Sequence, residues 1–292
     1  MKILVTGCDG QIGKTLINSG VKYGFKMAGY SKENLNITFK KIINDVFNLE
    51  KPDLVINAAA YTKVDNAEKE IEKAFDVNEK GTLFLSQVCA SFNIPFFHIS
   101  TDYVFDGKLD KPYTETDNVN PLNIYGISKE SGEKIIRKNI EQHIILRTSW
   151  VFSSEKNNFV STMMRMAVEK DEISVVADQF GGPTSADGIA ETLLTIAYKY
   201  KNKSKIIWGT YNFSGHPNIS WYEFANEIFK TAFALKLIKK IPMIKPIKSF
   251  DYPTLAKRPE NSRLDCTKIY KNFEITEDDW KVRLIEYLNI LR

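Results

Sequence analysis

Residues 2–13 read KILVTGCDGQIG, a short run rich in β-branched side chains that ends in glycine and is followed by two more glycines at three-residue spacing. Lys2 to Thr6 has the look of a buried parallel strand, and Gln11 to Tyr23 carries Ile12, Leu16, Ile17 and Val21 at helical spacing. Strand, glycine loop and helix in that order predict the first unit of a dinucleotide-binding sheet. Gly7, Gly10 and Gly13 suit a tight turn, the approach of the backbone to a diphosphate and close helix–sheet packing. The helix N-terminus adds unpaired N–H groups and the positive end of its dipole.

Working outward, the same rhythm repeats about every thirty residues. Strands are predicted over Phe25 to Tyr30, Asp53 to Asn57, Pro95 to Ser100 and His143 to Thr148. Helices are predicted around Ile42 to Leu49, over Lys73 to Phe92 as one long amphipathic helix, and over Ile124 to Lys138. This alternation means an α/β fold: a Rossmann-type doubly wound parallel sheet in residues 1–150. After Trp150 the pattern loosens into helices (Phe159 to Val168, Gly188 to Lys199, Trp221 to Phe233, Trp280 to Leu291) among short strands and prolines. Residues 151–292 are expected to form a smaller C-terminal substrate-binding domain, interleaved with the sheet.

Composition excludes other classes. Forty Lys+Arg against thirty-six Asp+Glu, spread along 292 residues, give a net charge of +4, too small and diffuse for nucleic acid. Three separated cysteines without a CxxC argue against a disulfide framework or a zinc site, and His98, His143 and His216 share no metal spacing, so no metal is expected. His98, inside an apolar strand, reads as a satisfied core histidine. No segment has the roughly 18 apolar residues of a membrane span. A cytoplasmic protein is the expectation.

The end of the second strand, Gly29-Tyr30-Ser31-Lys32, has no acid before Glu33 to meet a ribose 2′-hydroxyl. Ser31 and Lys32, with Lys14 nearby, could meet a 2′-phosphate, which favours NADPH while leaving NADH open; a solvated loop lysine is the other reading of Lys32. Of thirteen tyrosines only Tyr125 has a lysine four residues on, Lys129. On a helix the two share a face, where an ammonium would lower the phenol's pKa for proton transfer to a carbonyl. Thirteen tyrosines and a lysine-rich chain also give about one such pair by chance. Strand four ends in Ser100-Thr101-Asp102-Tyr103, polar groups at the carboxyl edge of a parallel sheet, where open α/β folds bind ligands.

With glycine loop, strand-four hydroxyls and YxxxK in this order, the chain resembles the extended short-chain dehydrogenases/reductases. Val55 to Glu68 (VINAAAYTKVDNAE), Ser100 to Gly107 (STDYVFDG), Pro121 to Glu133 (PLNIYGISKESGE), Leu146 to Phe152 (LRTSWVF), Asp178 to Thr184 (DQFGGPT) and Lys257 to Asp265 (KRPENSRLD) resemble the dTDP-4-dehydrorhamnose reductase branch. The resemblance implies NADPH-dependent reduction of the C4 ketone of a dTDP-sugar for a surface polysaccharide such as an O-antigen. It implies a catalytic triad of Thr101, Tyr125 and Lys129. Gly10, Gln11 and Ile12 would meet the cofactor diphosphate, with Ala58, Ala59, Ala60, Tyr61 and Thr62 along the path to the nicotinamide. Thr101, Asp102, Tyr103 and Trp150 would meet the sugar nucleotide. Arg258 and Arg263 are candidates for its diphosphate, with surface ion pairing as the other reading. A homodimer is common in the fold.

One departure is Asn36-Ile37, where the family usually has an acidic residue before the apolar one at the adenine; asparagine can still hydrogen-bond an adenine edge. The dehydratases of this scaffold resemble Thr-Asp-Glu where this chain has Thr101-Asp102-Tyr103, which counts against dehydration. A 4-epimerase, a reductase of another 4-keto nucleotide sugar and a non-catalytic NADP-binding regulatory subunit remain as alternatives. Cys8, in the glycine loop near a helix N-terminus, has a setting that lowers a thiol pKa, although a plain loop residue is the simpler reading. Lys236, Lys239, Lys240, Lys245 and Lys248, interleaved with apolar residues, read as a solvated surface.

Overall fold

The computed structural model describes residues 1–155 and 157–290. The first half runs β1 (Lys2–Thr6), α1 (Gln11–Lys22), β2 (Lys26–Tyr30), α2 (Lys40–Glu50), β3 (Leu54–Asn57), α3 (Val64–Ala67), α4 (Ile71–Phe75), a π-helical turn (Asp76–Gly81), α5 (Thr82–Ser91), β4 (Phe96–Thr101), α6 (Ile124–Asn139) and β5 (His143–Thr148). The second half contains β6 (Val151–Phe152), α7 (Phe159–Glu169), β7 (Glu172–Val176), β8 (Phe180–Gly181), β9 (Thr184–Ser185), α8 (Ala186–Lys201), β10 (Gly209–Asn212), β11 (Ile219–Ser220), α9 (Trp221–Ala234), β12 (Met243–Ile247), α10 (Thr267–Phe273) and α11 (Trp280–Ile290). The final residue of the helix expected to end at Leu291 lies outside the described residues.

Six strands form one parallel sheet in the order β10-β5-β4-β3-β1-β2. Both faces are covered, so successive residues of a strand are apolar in both directions. Ile3 and Val5, Leu54 and Ile56, and Ile144 and Leu146 face α1 and α8; Leu4, Val55, Phe96 and Ile145 face α2, α5 and α6. The later half thus supplies the sixth strand and one covering helix. It also has its own core, where Met163, Phe224, Phe229, Trp280 and Leu284 meet.

The expected helix over 73–92 differs in form. It starts at Ile71 and contains the π-helical turn, an extra residue in the winding that marks functional sites in many helices. The chain order reverses between β1 and β3, so the loops after them diverge and open a crevice at the carboxyl edge. No helix among the described residues is long and apolar enough to cross a membrane.

Candidate active site

The crevice is a cavity of about 610 Å³. Gly7, Gly10, Gln11, Ile12 and Gly13 form one end, and Lys32, Asn36, Ile37, Ala58, Ala59, Ala60, Tyr61 and Thr62 line its length. Thr101, Asp102, Tyr103, Tyr125, Lys129 and Trp150 close the other end.

The glycine loop is built by close approach. Gly7 has φ +65°, and a Cβ on Gly13 would lie 2.1 Å from the Gly7 carbonyl oxygen. Gly10 caps α1 without a side-chain hydrogen bond, and no acid stands in the first turn, so the helix N–H groups and dipole face the cavity. At the adenine end the Leu35 N–H donates to the Ser31 carbonyl (2.9 Å), a turn that brings Asn36 and Ile37 inward. Asn36 Oδ1 accepts from Thr38, leaving its amide NH₂ as the group for a ligand.

Tyr125 sits in the first turn of α6. Asn123 caps that helix through the Gly126 N–H (2.8 Å), and Glu68 accepts the Ile124 N–H (2.8 Å). Burial pushes the Tyr125 phenol up to about 12, with the nearby Thr101 hydroxyl opposing the rise and Asp102 adding to it. Thr101 Oγ donates to Asp102 Oδ1 (2.9 Å) and accepts the Tyr103 N–H (3.1 Å). Burial raises Asp102 to about 7, and its Oδ2 has no partner among the described residues. Lys129 does not act on the phenol as expected: Nζ turns to the Ile99 carbonyl (2.6 Å) and His98 Nε2 (3.1 Å), and burial lowers its pKa to about 8.

Other expectations are corrected by position. Ser31 is buried and does not line the cavity, so only Lys32 of that pair is available there. Lys14 pairs with Glu155 at 2.7 Å instead of facing a phosphate. Arg263 lies away from both cavities, its guanidinium held by Asn261 Oδ1 (2.8 Å) and the Asp110 carbonyl. Arg258 lines a second cavity of about 740 Å³, donates Nη2 to Asp65 (2.7 Å) and keeps a buried Nη1 without a partner among the described residues. The Cys8 thiol is raised, not lowered: its side chain packs against β2 beside Gly29, where burial and Asp9 oppose the thiolate. His98 is fully buried with both ring nitrogens partnered, and the five lysines of 236–248 are exposed.

Two residues escaped the sequence reading. Trp221 lines both cavities and stacks on Trp150 (3.5 Å between centroids, planes 8° apart). Its only local signal is the Ser220–Glu223 capping box that starts α9. Asn78, in the π-helical turn, accepts the Tyr61 N–H (2.8 Å) and donates to the Tyr61 carbonyl and to Ser128, fixing the loop after β3 to α6.

The family model described as the RmlD substrate binding domain matches residues 1–292. A dTDP-4-dehydrorhamnose reductase of Aggregatibacter actinomycetemcomitans is 44% identical over 281 residues, 96% of either chain. Two solved structures cover 100% of this chain and 99% of their own. One is a dTDP-4-dehydrorhamnose reductase of Clostridium acetobutylicum (TM-score 0.91, 34% identity). The other is that of Bacillus anthracis in complex with NADP (TM-score 0.91, 32% identity).

Proposed function

This chain belongs to the RmlD family of dTDP-4-dehydrorhamnose reductases, and on that premise we propose that it reduces the C4 ketone of dTDP-4-dehydro-L-rhamnose to dTDP-L-rhamnose with NADPH. The observation that carries the reading is the meeting of Thr101, Tyr125 and Lys129 at the end of one crevice that begins at the glycine loop. The residues present fit the cofactor. Open N–H groups at the start of α1 suit its diphosphate, and the Lys32 ammonium suits a 2′-phosphate. Asn36 and Ile37 suit the adenine, and Tyr61 and Thr62 the path inward.

When bound, NADPH supplies a hydride from its dihydronicotinamide. When the ketone binds, the Thr101 hydroxyl turns from Asp102 to hold the ketone oxygen, and Tyr125 donates its proton to the developing alkoxide. A phenol raised to about 12 carries that proton throughout the neutral range. Asp102 accepts from Thr101 before the sugar binds, and its other carboxylate oxygen, without a partner among the described residues, suits a sugar hydroxyl. The stacked Trp150 and Trp221 form a flat wall for the sugar, and the second cavity beyond them, lined by Arg258 with its Nη1 unpartnered among the described residues, takes the nucleotide and its diphosphate. In this reading residues 1–150 mainly hold cofactor and 151–292 mainly cover substrate. Tyr103, a half-buried phenol with a raised pKa edge-on to Tyr125, is no base for dehydration.

The test uses NADPH carrying deuterium at nicotinamide C4 on the transferred face. The product should be dTDP-L-rhamnose with deuterium at sugar C4. Tight NADPH binding with no consumption would refute the substrate assignment.

A further inference from the structure

A buried polar chain crosses three neighbouring strands beneath the crevice. Thr6, Asn57 and His98 are register partners on β1, β3 and β4. Thr6 Oγ donates to Asn57 Oδ1 (2.6 Å), and the Ala59 N–H donates to the same oxygen (3.1 Å). Asn57 Nδ2 lies 3.0 Å from His98 Nδ1, and His98 Nε2 lies 3.1 Å from Lys129 Nζ.

The direction of this chain is fixed from one end. A backbone N–H can only donate, so the amide oxygen of Asn57 must face Ala59 and its NH₂ must face His98. Turning the amide would set donor against donor. His98 Nδ1 therefore accepts, and burial keeps the ring neutral. The one ring proton then sits on Nε2 and points at Lys129 Nζ. An ammonium has no lone pair to receive it. A neutral amine has one, and still donates to the Ile99 carbonyl at 2.6 Å.

We propose that His98 is a positioning residue for Lys129: fixed by Asn57 as the Nε2–H tautomer, its ring favours the neutral amine of the lysine in the free enzyme, and cofactor binding returns the lysine to its charged form by drawing Nζ away. The last clause rests on the cofactor reading above; the free-enzyme part does not. The proton gained comes from solvent.

The surroundings agree. Burial is the main cause that brings Lys129 down to about 8, and Glu133, one turn along α6, opposes it. Glu133 is itself held by Arg147 from β5, by Arg137 and by Ser100. The turn after β4 brings Asp102 and Tyr103, and α6 brings Tyr125. The π-helical turn presents Asn78 and pairs Asp76 with Lys80 at the surface. Glu70, at the cap of α4, is taken by Tyr61 and Lys73; on α3, Asp65 is taken by Arg258; α5 offers the Cys89 thiol, buried in the core between that helix layer and the sheet.

The test is NMR of the whole protein with ¹³Cε-lysine and ¹⁵N-histidine. Lys129 is identified by its absence in Lys129→Arg, and only three histidines contribute. His98 should remain a neutral Nε2–H ring from pH 6 to 9, and Lys129 should titrate near pH 8 instead of 10.5. Asn57→Asp reverses the chain: its carboxylate accepts from Nδ1–H, which leaves Nε2 a lone pair for an ammonium. That variant should switch the His98 tautomer and move Lys129 back towards 10.5. His98→Gln, with an amide oxygen to accept, should move Lys129 the same way. At pH 9, NADPH binding to the wild type should take up about one proton, read by calorimetry in two buffers of different ionisation enthalpy, and Asn57→Asp should take up markedly less. An Nδ1–H tautomer, an ordinary Lys129 titration in the wild type, or no shift in either variant overturns the inference. Absence of NADPH binding would refute the cofactor reading, while the free-enzyme titration still decides the role of His98.

Discussion

Two glycines three residues apart in the loop after β1 should respond differently to the same methyl group. On Gly13 a Cβ would lie 2.1 Å from the Gly7 carbonyl oxygen, 2.8 Å from Cys8 Cα and 2.9 Å from Gly7 C, all backbone atoms. The loop must open to accept it. Overpacking of this kind costs about 1–3 kcal/mol, and at about 2–4 °C per kcal/mol the midpoint of thermal unfolding should fall by several degrees. The same displacement moves the loop N–H groups out of the phosphate cradle, so NADPH affinity should fall as well. On Gly10 the nearest atom to an added Cβ is the Gly7 oxygen at 3.4 Å, and the remaining space is open cavity. Gly10→Ala should therefore unfold with the wild type and still bind NADPH more weakly, because the methyl occupies the space of the diphosphate. The assays are a thermal melt and a fluorescence titration with NADPH on both variants. Wild-type stability in Gly13→Ala would refute the close approach. Wild-type affinity in Gly10→Ala would refute the loop as the diphosphate site.

Three further outcomes are expected. Trp221→Ala removes a stack worth about 0.5–1.5 kcal/mol from Trp150, so KM for the sugar nucleotide should rise while the Kd for NADPH stays unchanged; steady-state kinetics and a cofactor titration separate the two. Asp102 is ionised in the unfolded chain above pH 3.8 but in the folded chain only above about 7, so between these values the folded state holds the extra proton and stability falls as pH rises. Asp102→Asn removes that loss, and its advantage over the wild type in denaturant melts should grow from nothing near pH 4 to on the order of 3 kcal/mol near pH 7.5. Gly126→Ala would bring a Cβ within 2.2 Å of the Tyr103 carbonyl, pushing the first turn of α6 and Tyr125 away from Thr101; kcat should fall further than NADPH affinity.

The parts of this molecule that were legible in the sequence are those written locally. The strand–glycine–helix unit at residues 2–22, the capped helix that presents Tyr125, and the polar end of β4 each carry their signal within a few residues. Position in a parallel sheet then brings them together, because every strand ends at the same edge. What was not legible depends on distant partners. β10 is four residues, GTYN, too short for a period, and becomes the sixth strand only beside β5. Arg258 and Asp65 are 193 residues apart in sequence, and the capture of Arg263 by Asn261 and Asp110 needs the folded loop. The expected effect of Lys129 on Tyr125 followed from their helical spacing, but α6 also lies against β4, where His98 and the Ile99 carbonyl compete for the same nitrogen. Cys8 shows the same limit: its distance from a helix N-terminus is local, whereas the direction of its side chain, towards β2, is set by the sheet.

The most direct test of the account is the rate of NADPH oxidation with dTDP-4-dehydro-L-rhamnose by wild type and Tyr125→Phe, with the NADPH dissociation constant measured for both. If Tyr125 is the proton donor at the sugar C4 oxygen, kcat should fall by about 10²–10⁴-fold while the dissociation constant stays within a few-fold. An undiminished kcat in Tyr125→Phe would contradict the assignment of the proton donor.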